Sequence, residues 1–340
     1  MKNIYGLTLE QLEQYFLTHN EKSFKAVQVF EWLYKRRVSS LEEMTNIKKD
    51  TLEQMQQDFN MNSISLLTKT EGKDVVKFLF GLEDSNKVEA VLMKHDYGNS
   101  LCVSTEVGCN MGCAFCESGR LKKVRHLETH EMVLQILAVE AHLNIRISHV
   151  VLMGIGEPFD NYDNVIDFIS IINSGKGIDI GARHITVSTC GIVPKIQEFM
   201  ENGKQVNLAI SLHAPNNELR SQLMPINRAY PIEELITVLK EYIKKTNRRV
   251  TFEYILLEDV NDTDACAMEL AHILKGMNCY VNLIPYNETS HIEFKKSSQD
   301  TIMRFYDILK KNKINVTVRR EFGGKVMAAC GQLRSNYEEA

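Results

Sequence analysis

Near the start of the chain, apolar positions recur every three to four residues, in Leu9, Leu12 and Phe16 and again in Phe24, Val27, Phe30 and Leu33. That is the period of an amphipathic helix. The spacing predicts a small helical module over residues 1–62. From Ser63 the period shortens. SISLLTK, VVKFLFGL, KVEAVLM and SLCVSTEV are short alternating or apolar runs set apart by polar or glycine-containing turns, as strands are. The first three predict a β extension over residues 63–98. Apolar strands then alternate with amphipathic helices to about residue 318. HVVLMG precedes NVIDFISIIN, HITVSTCG precedes VPKIQEFM, and VNLAISLH precedes PIEELITVLKEYI. VTFEYILL, a helix after Asp262, YVNLIPY, DTIMRFYDILKK and INVTVR complete the series. Counting the strand at Leu101, this makes about six to seven β/α units in an α/β core over residues 99–340. Such a series predicts a parallel sheet, closed or partly closed, with ligands at the carboxyl ends of its strands.

With 340 residues, 44% hydrophobic and 25% charged, the chain has material for a large core. No run approaches the roughly 18 apolar residues of a membrane span, and MKNIYGLTLEQLEQ lacks the layout of a secretion signal. The expectation is a cytoplasmic protein with no membrane partner. In that setting its eight cysteines are thiols, metal ligands or catalytic groups rather than structural disulfides. A net charge of −4 gives no overall sign of nucleic-acid binding, but charge is unevenly placed. Arg120, Lys122, Lys123 and Arg125 lie together without an acid, and between Lys310 and Arg334 seven cations face only Glu321. These runs are either solvated surface or phosphate contacts.

After the strand at Leu101 comes Cys109-Asn110-Met111-Gly112-Cys113-Ala114-Phe115-Cys116. Three thiolates at this CxxxCxxC spacing can hold one cubane iron–sulfur cluster and leave its fourth iron free for a substrate. The competing reading is a structural zinc site, which needs four closed ligands; Cys102 is a candidate fourth. Gly154-Ile155-Gly156-Glu157-Pro158 follows the strand HVVLM, and its glycines let backbone approach a ligand. Ser188, Ser211, His213 and Asn287 stand at the same end of successive strands. Each alone reads as a cap or a core polar group. Together they suit a cofactor cradle.

The cysteine motif, with an aromatic before its last cysteine, resembles the radical S-adenosylmethionine superfamily. From Glu89 to Gln332, the segments LCVSTEVGCNMGCAFC, MGIGEP, VSTCGIVP, AISLHAPN, MPIN, NLIPYN and AACGQL resemble one branch of it, the RlmN and Cfr ribosomal RNA adenine methyltransferases. The resemblance implies a partial (β/α)6 barrel and an N-terminal module that helps hold RNA. It implies a [4Fe–4S] cluster on Cys109, Cys113 and Cys116, and S-adenosylmethionine contacts from Gly156, Glu157, Ser188, Ser211, Leu212, His213 and Asn287. By the same resemblance, two molecules of S-adenosylmethionine are expected to be used per turnover, in the following sequence. The first methylates the Cys330 thiolate; the second yields a 5′-deoxyadenosyl radical that takes hydrogen from the Cys330 methyl group. The resulting methylene radical adds to adenine, a base such as Glu89 removes the carbon-bound proton, and Cys102 attacks the Cys330 sulfur. Methyladenosine leaves, and a Cys102–Cys330 disulfide remains to be reduced. The implied partners are 23S ribosomal RNA, with transfer RNA as a further substrate left open, and an electron donor such as flavodoxin or ferredoxin. A monomer is expected.

The sequence departs from the family at Glu117-Ser118-Gly119, which sets a carboxylate beside the cluster loop, and in RREFGGKVM, where the acidic pair typical of RlmN is missing. Methylation of adenine C2 is the first reading and of C8, as in Cfr, the second. A radical enzyme acting on a small molecule or peptide, and a zinc-stabilised RNA-binding protein without catalysis, are the remaining alternatives.

Overall fold

The structure is a computed structural model that describes residues 1–202, 205–289, 291–319 and 332–333. The helix Leu9–Thr18 starts in a capping box, Thr8 accepting from the Gln11 backbone while the Gln11 side chain accepts from that of Thr8; it buries Leu12 and Phe16. The next helix, Phe24–Glu31, runs on through a wider turn at Trp32–Arg36. Its buried face is Ala26, Val29, Phe30 and Leu33. Phe24 is 52% exposed, so the face is rotated from the one that the spacing predicted. Phe24 opens the helix, where a side chain overhangs no preceding turn. A third helix, Lys49–Asp58, packs only Thr51, Leu52 and Met55 inward, too few apolar positions to register as a period.

Among the described residues the core is a sheet of ten strands. Gly98–Cys102, His149–Leu152, Ile185–Thr189, Asn207–Ser211, Val250–Leu256, Cys279–Pro285 and Val316–Val318 lie side by side in chain order, all parallel. Helices cover the six crossovers: Thr129–Leu143, Tyr162–Asn173, Val193–Glu201, Ile232–Thr246, Asp264–Ile273 and Gln299–Lys311. Beyond Gly98–Cys102 the same sheet continues antiparallel through Lys87–His95, Val75–Gly81 and Ser65–Glu71. Ser65–Glu71 and Val316–Val318 are its two edges, and they do not pair with each other. The sheet is therefore an open, partial (β/α)6 barrel, and the predicted extension is its continuation.

Two differences from the sequence pattern bear on the site. The strand read in SLCVSTEV ends at Cys102, and Glu106–Val107 instead pairs with Arg125–His126 in a small hairpin. The cysteine loop thus hangs from this hairpin and does not follow the strand directly. The helix Thr129–Leu143 carried no helical stripe because it is buried nearly all round, from Met132, Val133 and Leu134 to Gln135 and Ile136.

Candidate cofactor and active site

The loop carrying the three cysteines is held from several sides. Cys116 N–H donates to Cys113 O (3.2 Å), Gly119 N–H to Cys116 O (3.1 Å) and Ala114 N–H to Leu223 O (2.9 Å). The Phe115 ring meets the His213 ring edge-on, with centroids 4.8 Å apart. Cys109 is buried and Cys113 and Cys116 are half-buried. Burial, reinforced by the neighbouring thiols, pushes the Cys109 thiol up to about 12 and that of Cys113 well above its ordinary value. A bound cationic centre is what would make such thiols ionise. Among the described residues, the set of three or more ligand-type side chains whose atoms converge within 4.8 Å is Glu106, His126 and Asp160. The cysteine sulfurs are spread more widely than a single zinc ion needs, which suits a larger cluster. Cys102 is not the fourth thiol of a closed site. It packs elsewhere, with Val91, Met93, Ile155 and Leu333. The fourth thiol near the loop is Cys190, which burial pushes far above its ordinary range and which hydrogen-bonds to Glu157.

A cavity of about 150 Å3 opens over this loop, at the carboxyl ends of the parallel strands. Cys109, Cys113, Cys116, Gly156, Glu157, Ser188, Ser211 and His213 all line it. Gly156 holds φ +109°, and a Cβ there would lie 2.7 Å from Glu106 carbons. A Cβ on Gly154 would meet Ser104 Oγ and Val103 O at 2.7 Å. Both glycines are thus required for the loop to lie flat on the strand end. The Glu157 carboxylate is buried, accepting from Phe159 N–H (2.9 Å) and Cys190 N–H (2.7 Å). Burial raises its proton affinity, and those donors offset part of the rise. Ser188 and Ser211 hydroxyls stand 3.5 Å apart. His213, at φ +56°, accepts at Nδ1 from Ile255 N–H (3.0 Å), so its proton is carried on Nε2. Burial depresses its pKa to about 3, leaving a neutral imidazole.

Sequence reasoning missed the hub behind these strand ends. Arg220 is fully buried; it donates to Cys190 O (2.6 Å), Leu212 O (3.3 Å), Ser211 O (3.4 Å) and Asn227 Oδ1 (3.0 Å). It also missed Glu106, whose Oε2 accepts from Glu157 N–H (2.9 Å). Its other oxygen faces His126 Nε2 at 3.3 Å and Lys123 Nζ at 3.5 Å, and Lys123 also pairs with Asp160. The Lys123 ammonium occupies the centre of the Glu106–His126–Asp160 group, where a metal would otherwise be sought.

Other expected residues stand apart from the cavity. Leu212 is a core side chain whose N–H donates to Glu253 O (3.1 Å). Asn287 is half-buried, and its amide reaches Pro285 O (3.5 Å). Glu89 is fully buried on its strand, with Lys77 Nζ 2.9 Å away. Cys330 lies outside the described residues. Gln332 and Leu333, just beyond it in sequence, are described. Gln332 Nε2 donates to Glu288 O (3.1 Å), and Leu333 O accepts from Ser118 Oγ (2.7 Å). Leu333 also packs in the buried group that contains Cys102. All described cysteines are free thiols. Glu117 is buried, 3.4 Å from His291 Nδ1 and 3.9 Å from Arg120.

The cation run at 120–125 is largely engaged within the protein. Arg125 grips both oxygens of Glu131 (2.7 and 2.8 Å) and reaches Asp84 (2.6 Å). Lys123 is paired as above, and Arg120 donates to His291 O (2.9 Å). Lys122 is exposed. The run braces the cysteine hairpin and is not the free phosphate-binding patch that sequence proximity suggested. Among the described residues no helix is long and apolar enough to cross a membrane.

Comparison with known proteins agrees with this geometry. Residues 103–271 match the model of the Radical SAM superfamily, and residues 2–61 match the ribosomal RNA large subunit methyltransferase N-terminal domain. A protein of Enterococcus faecalis is 55% identical, covering 98% of this chain and 96% of its own length. One of Spiroplasma citri is 52% identical, covering 99% of each. Both are named "Probable dual-specificity RNA methyltransferase RlmN". The crystal structure of a radical SAM methyltransferase from Sphaerobacter thermophilus is 39% identical and superposes with a TM-score of 0.92 over 99% of this chain and all of that one. Neither relative is named for Cfr. Over nearly its whole length this chain belongs to the RlmN family of radical SAM RNA methyltransferases.

Proposed function

We propose that the protein methylates C2 of an adenine in 23S ribosomal RNA by way of a methylated Cys330, with Cys102 as the resolving thiol. Cys109, Cys113 and Cys116 would hold a [4Fe–4S] cluster. The contacts for S-adenosylmethionine would be Gly156, Glu157, Ser188 and Ser211, with Leu212, His213 and Asn287. When bound, cluster and S-adenosylmethionine supply a carbon-centred radical able to take hydrogen from a methyl group. The neutral His213 can donate from Nε2 into the cavity without adding charge. Cys330 carries the methyl carbon to the base, since adenine C2 is too electron-poor to attack a sulfonium itself. Glu89 receives the proton lost from that carbon. Once the adduct has passed its unpaired electron back to the donor system that supplied it, the Cys102 thiolate would attack the Cys330 sulfur, the bond between that sulfur and the methylene carbon would break with its electron pair going to carbon, and that carbon would take up a proton, so that methyladenosine leaves as the disulfide forms. A cytoplasmic electron donor such as flavodoxin or ferredoxin, and reductants of the cytosol, reset the monomeric enzyme.

The observation that carries this reading is Leu333 packed in the same buried group as Cys102. Leu333 is three residues from Cys330, and three residues reach at most about 11 Å. Cys102→Ala should complete addition to the base and then stall with RNA joined to Cys330 through a methylene bridge. The adduct should survive denaturation, shrink to one nucleotide on nuclease digestion and be missing from Cys102→Ala, Cys330→Ala. Wild-type product should co-elute with 2-methyladenosine rather than 8-methyladenosine. Normal turnover by Cys102→Ala without a trapped species sinks the two-thiol route, and 8-methyladenosine sinks the regiochemistry.

A further inference from the structure

The inward face of the sheet does not end at the site described. By the two-residue period of a strand, Thr186 lies on the face of Ser188, Asn207 on that of Ser211, and Arg249 on that of Glu253. Toward the amino ends of these strands a second cavity, of about 670 Å3, opens on this face. Met153, Glu253 and Arg319 line both cavities and form the partition between them.

The charge of the lower cavity is one-sided. Four arginines, Arg183, Arg248, Arg249 and Arg319, line it against a single acidic residue, Glu253. That carboxylate is already engaged, accepting from Asn282 Nδ2 (2.9 Å) and lying 3.9 Å from Arg319. Among the described residues Arg183, Arg248 and Arg249 form no ion pair with an acid. The cysteine hairpin is the opposite case, since Arg125 there meets two carboxylates. Arg248 donates to Asn207 Oδ1 (3.1 Å), but its buried Nε finds no acceptor. Arg249 stacks over Tyr280, 4.9 Å from the ring centroid, which fixes its direction.

Three unpaired guanidinium groups gathered at one concave surface repel one another, and an anion relieves that repulsion. Their forked donors match phosphate oxygens, and the volume lies within the range of small-molecule sites and exceeds a lone phosphate. We propose that this cavity is a phosphate-binding site, filled either by phosphodiesters of the RNA substrate or by the phosphates of a free nucleotide. Only the first source rests on the reading of the protein as an RNA methyltransferase.

The test uses full-length protein and the variant Arg183→Gln, Arg249→Gln, both positions being exposed. Calorimetric titration with inorganic pyrophosphate should show binding to the wild type that weakens at least tenfold in the variant. Binding of a single-stranded RNA oligonucleotide is followed against salt. If the arginines hold RNA phosphates, the log–log slope should become shallower by about 1.4, two contacts at about 0.7 each. Weakened pyrophosphate binding with an unchanged RNA slope assigns the site to a free nucleotide, and a shallower slope assigns it to RNA. Wild-type behaviour of the variant toward both ligands overturns the proposal. Reductive cleavage of S-adenosylmethionine should be the same in both proteins. Wild-type protein that binds pyrophosphate through these arginines but methylates no RNA would count against the proposed function and leave this cavity standing.

Discussion

Replacing Gly156 by Ala perturbs a point where the backbone and its surroundings both forbid a side chain. The residue sits at φ +109°, and the added methyl would lie 2.7 Å from Glu106 Cβ and Cγ and 2.8 Å from Thr105 Oγ1. Neither neighbour can retreat. Both are buried; Glu106 accepts from Glu157 N–H (2.9 Å), and Thr105 N–H donates to Ile155 O (2.9 Å). The unfavourable dihedral costs about 1–3 kcal/mol and the overpacking about 1–3 kcal/mol more. A loss of about 2–6 kcal/mol takes a large part of the roughly 5–15 kcal/mol that hold a domain together. Urea unfolding of cluster-free protein, followed by circular dichroism, reads it as a lower midpoint. Gly181→Ala is the control, since that glycine has φ −58° and nothing within 4 Å of a built Cβ. It should stay within about 1 kcal/mol of wild type, on the stabilising side. If the two variants unfold together, the contact between the loop and the hairpin is not as tight as described.

Two further outcomes are expected. Cys109→Ala, Cys113→Ala and Cys116→Ala should each fail to retain the iron that wild-type protein takes up on anaerobic reconstitution, measured by iron analysis and visible absorbance; full iron in any of them shows the ligand set to be wrong. For Glu106, burial raises the carboxyl pKa to about 8, against about 4.3 in the unfolded chain. The stability this group contributes is complete below the unfolded value and is lost as pH rises through about 8. Glu106→Gln mimics the protonated form, so between pH 5 and 8 its stability should fall less than that of wild type; parallel pH–stability curves refute the shift.

What could be read from the sequence had local causes. Three cysteines within one loop, two glycines at a strand end, and polar residues closing successive apolar runs are signals confined to a few positions; the cysteines, both glycines, Ser188, Ser211 and His213 line one cavity, and of the strand-end set Asn287 does not. What could not be read depended on partners distant in sequence. Arg220 looks like one more helical surface cation until its Nε and Nη2 are seen to donate to the carbonyls of Cys190, Ser211 and Leu212 at the ends of two strands. The run at 120–125 looked available because its acids, Asp84, Glu131 and Asp160, lie elsewhere in sequence.

Register then relates Cys102 to the rest of the site. Cys102 pairs with Val91 on one side and Val151 on the other, and Val151 with Thr186. Neighbours at one level of a sheet share a face, so this row lies on the inward surface, and its members Val151 and Thr186 line the lower cavity. One period toward the carboxyl ends of the parallel strands stand Ser188 and, on the antiparallel strand, Glu89. Ser104, two residues beyond Cys102, bridges this level: its Oγ donates to Glu89 O (2.6 Å) and accepts from Ile155 N–H (3.0 Å). A barrel closed at this edge would pair the strand of Cys102 with the far strand of the parallel series. Because the sheet stays open and turns antiparallel instead, Cys102 and Glu89 are carried on the same inward face as Ser188, which lines the cavity over the cysteine loop. Leu333 reaches that edge to pack with Cys102. The departure from a simple β/α repeat thus leaves Cys102 and Glu89 on the face of the sheet that Ser188 and Thr186 share.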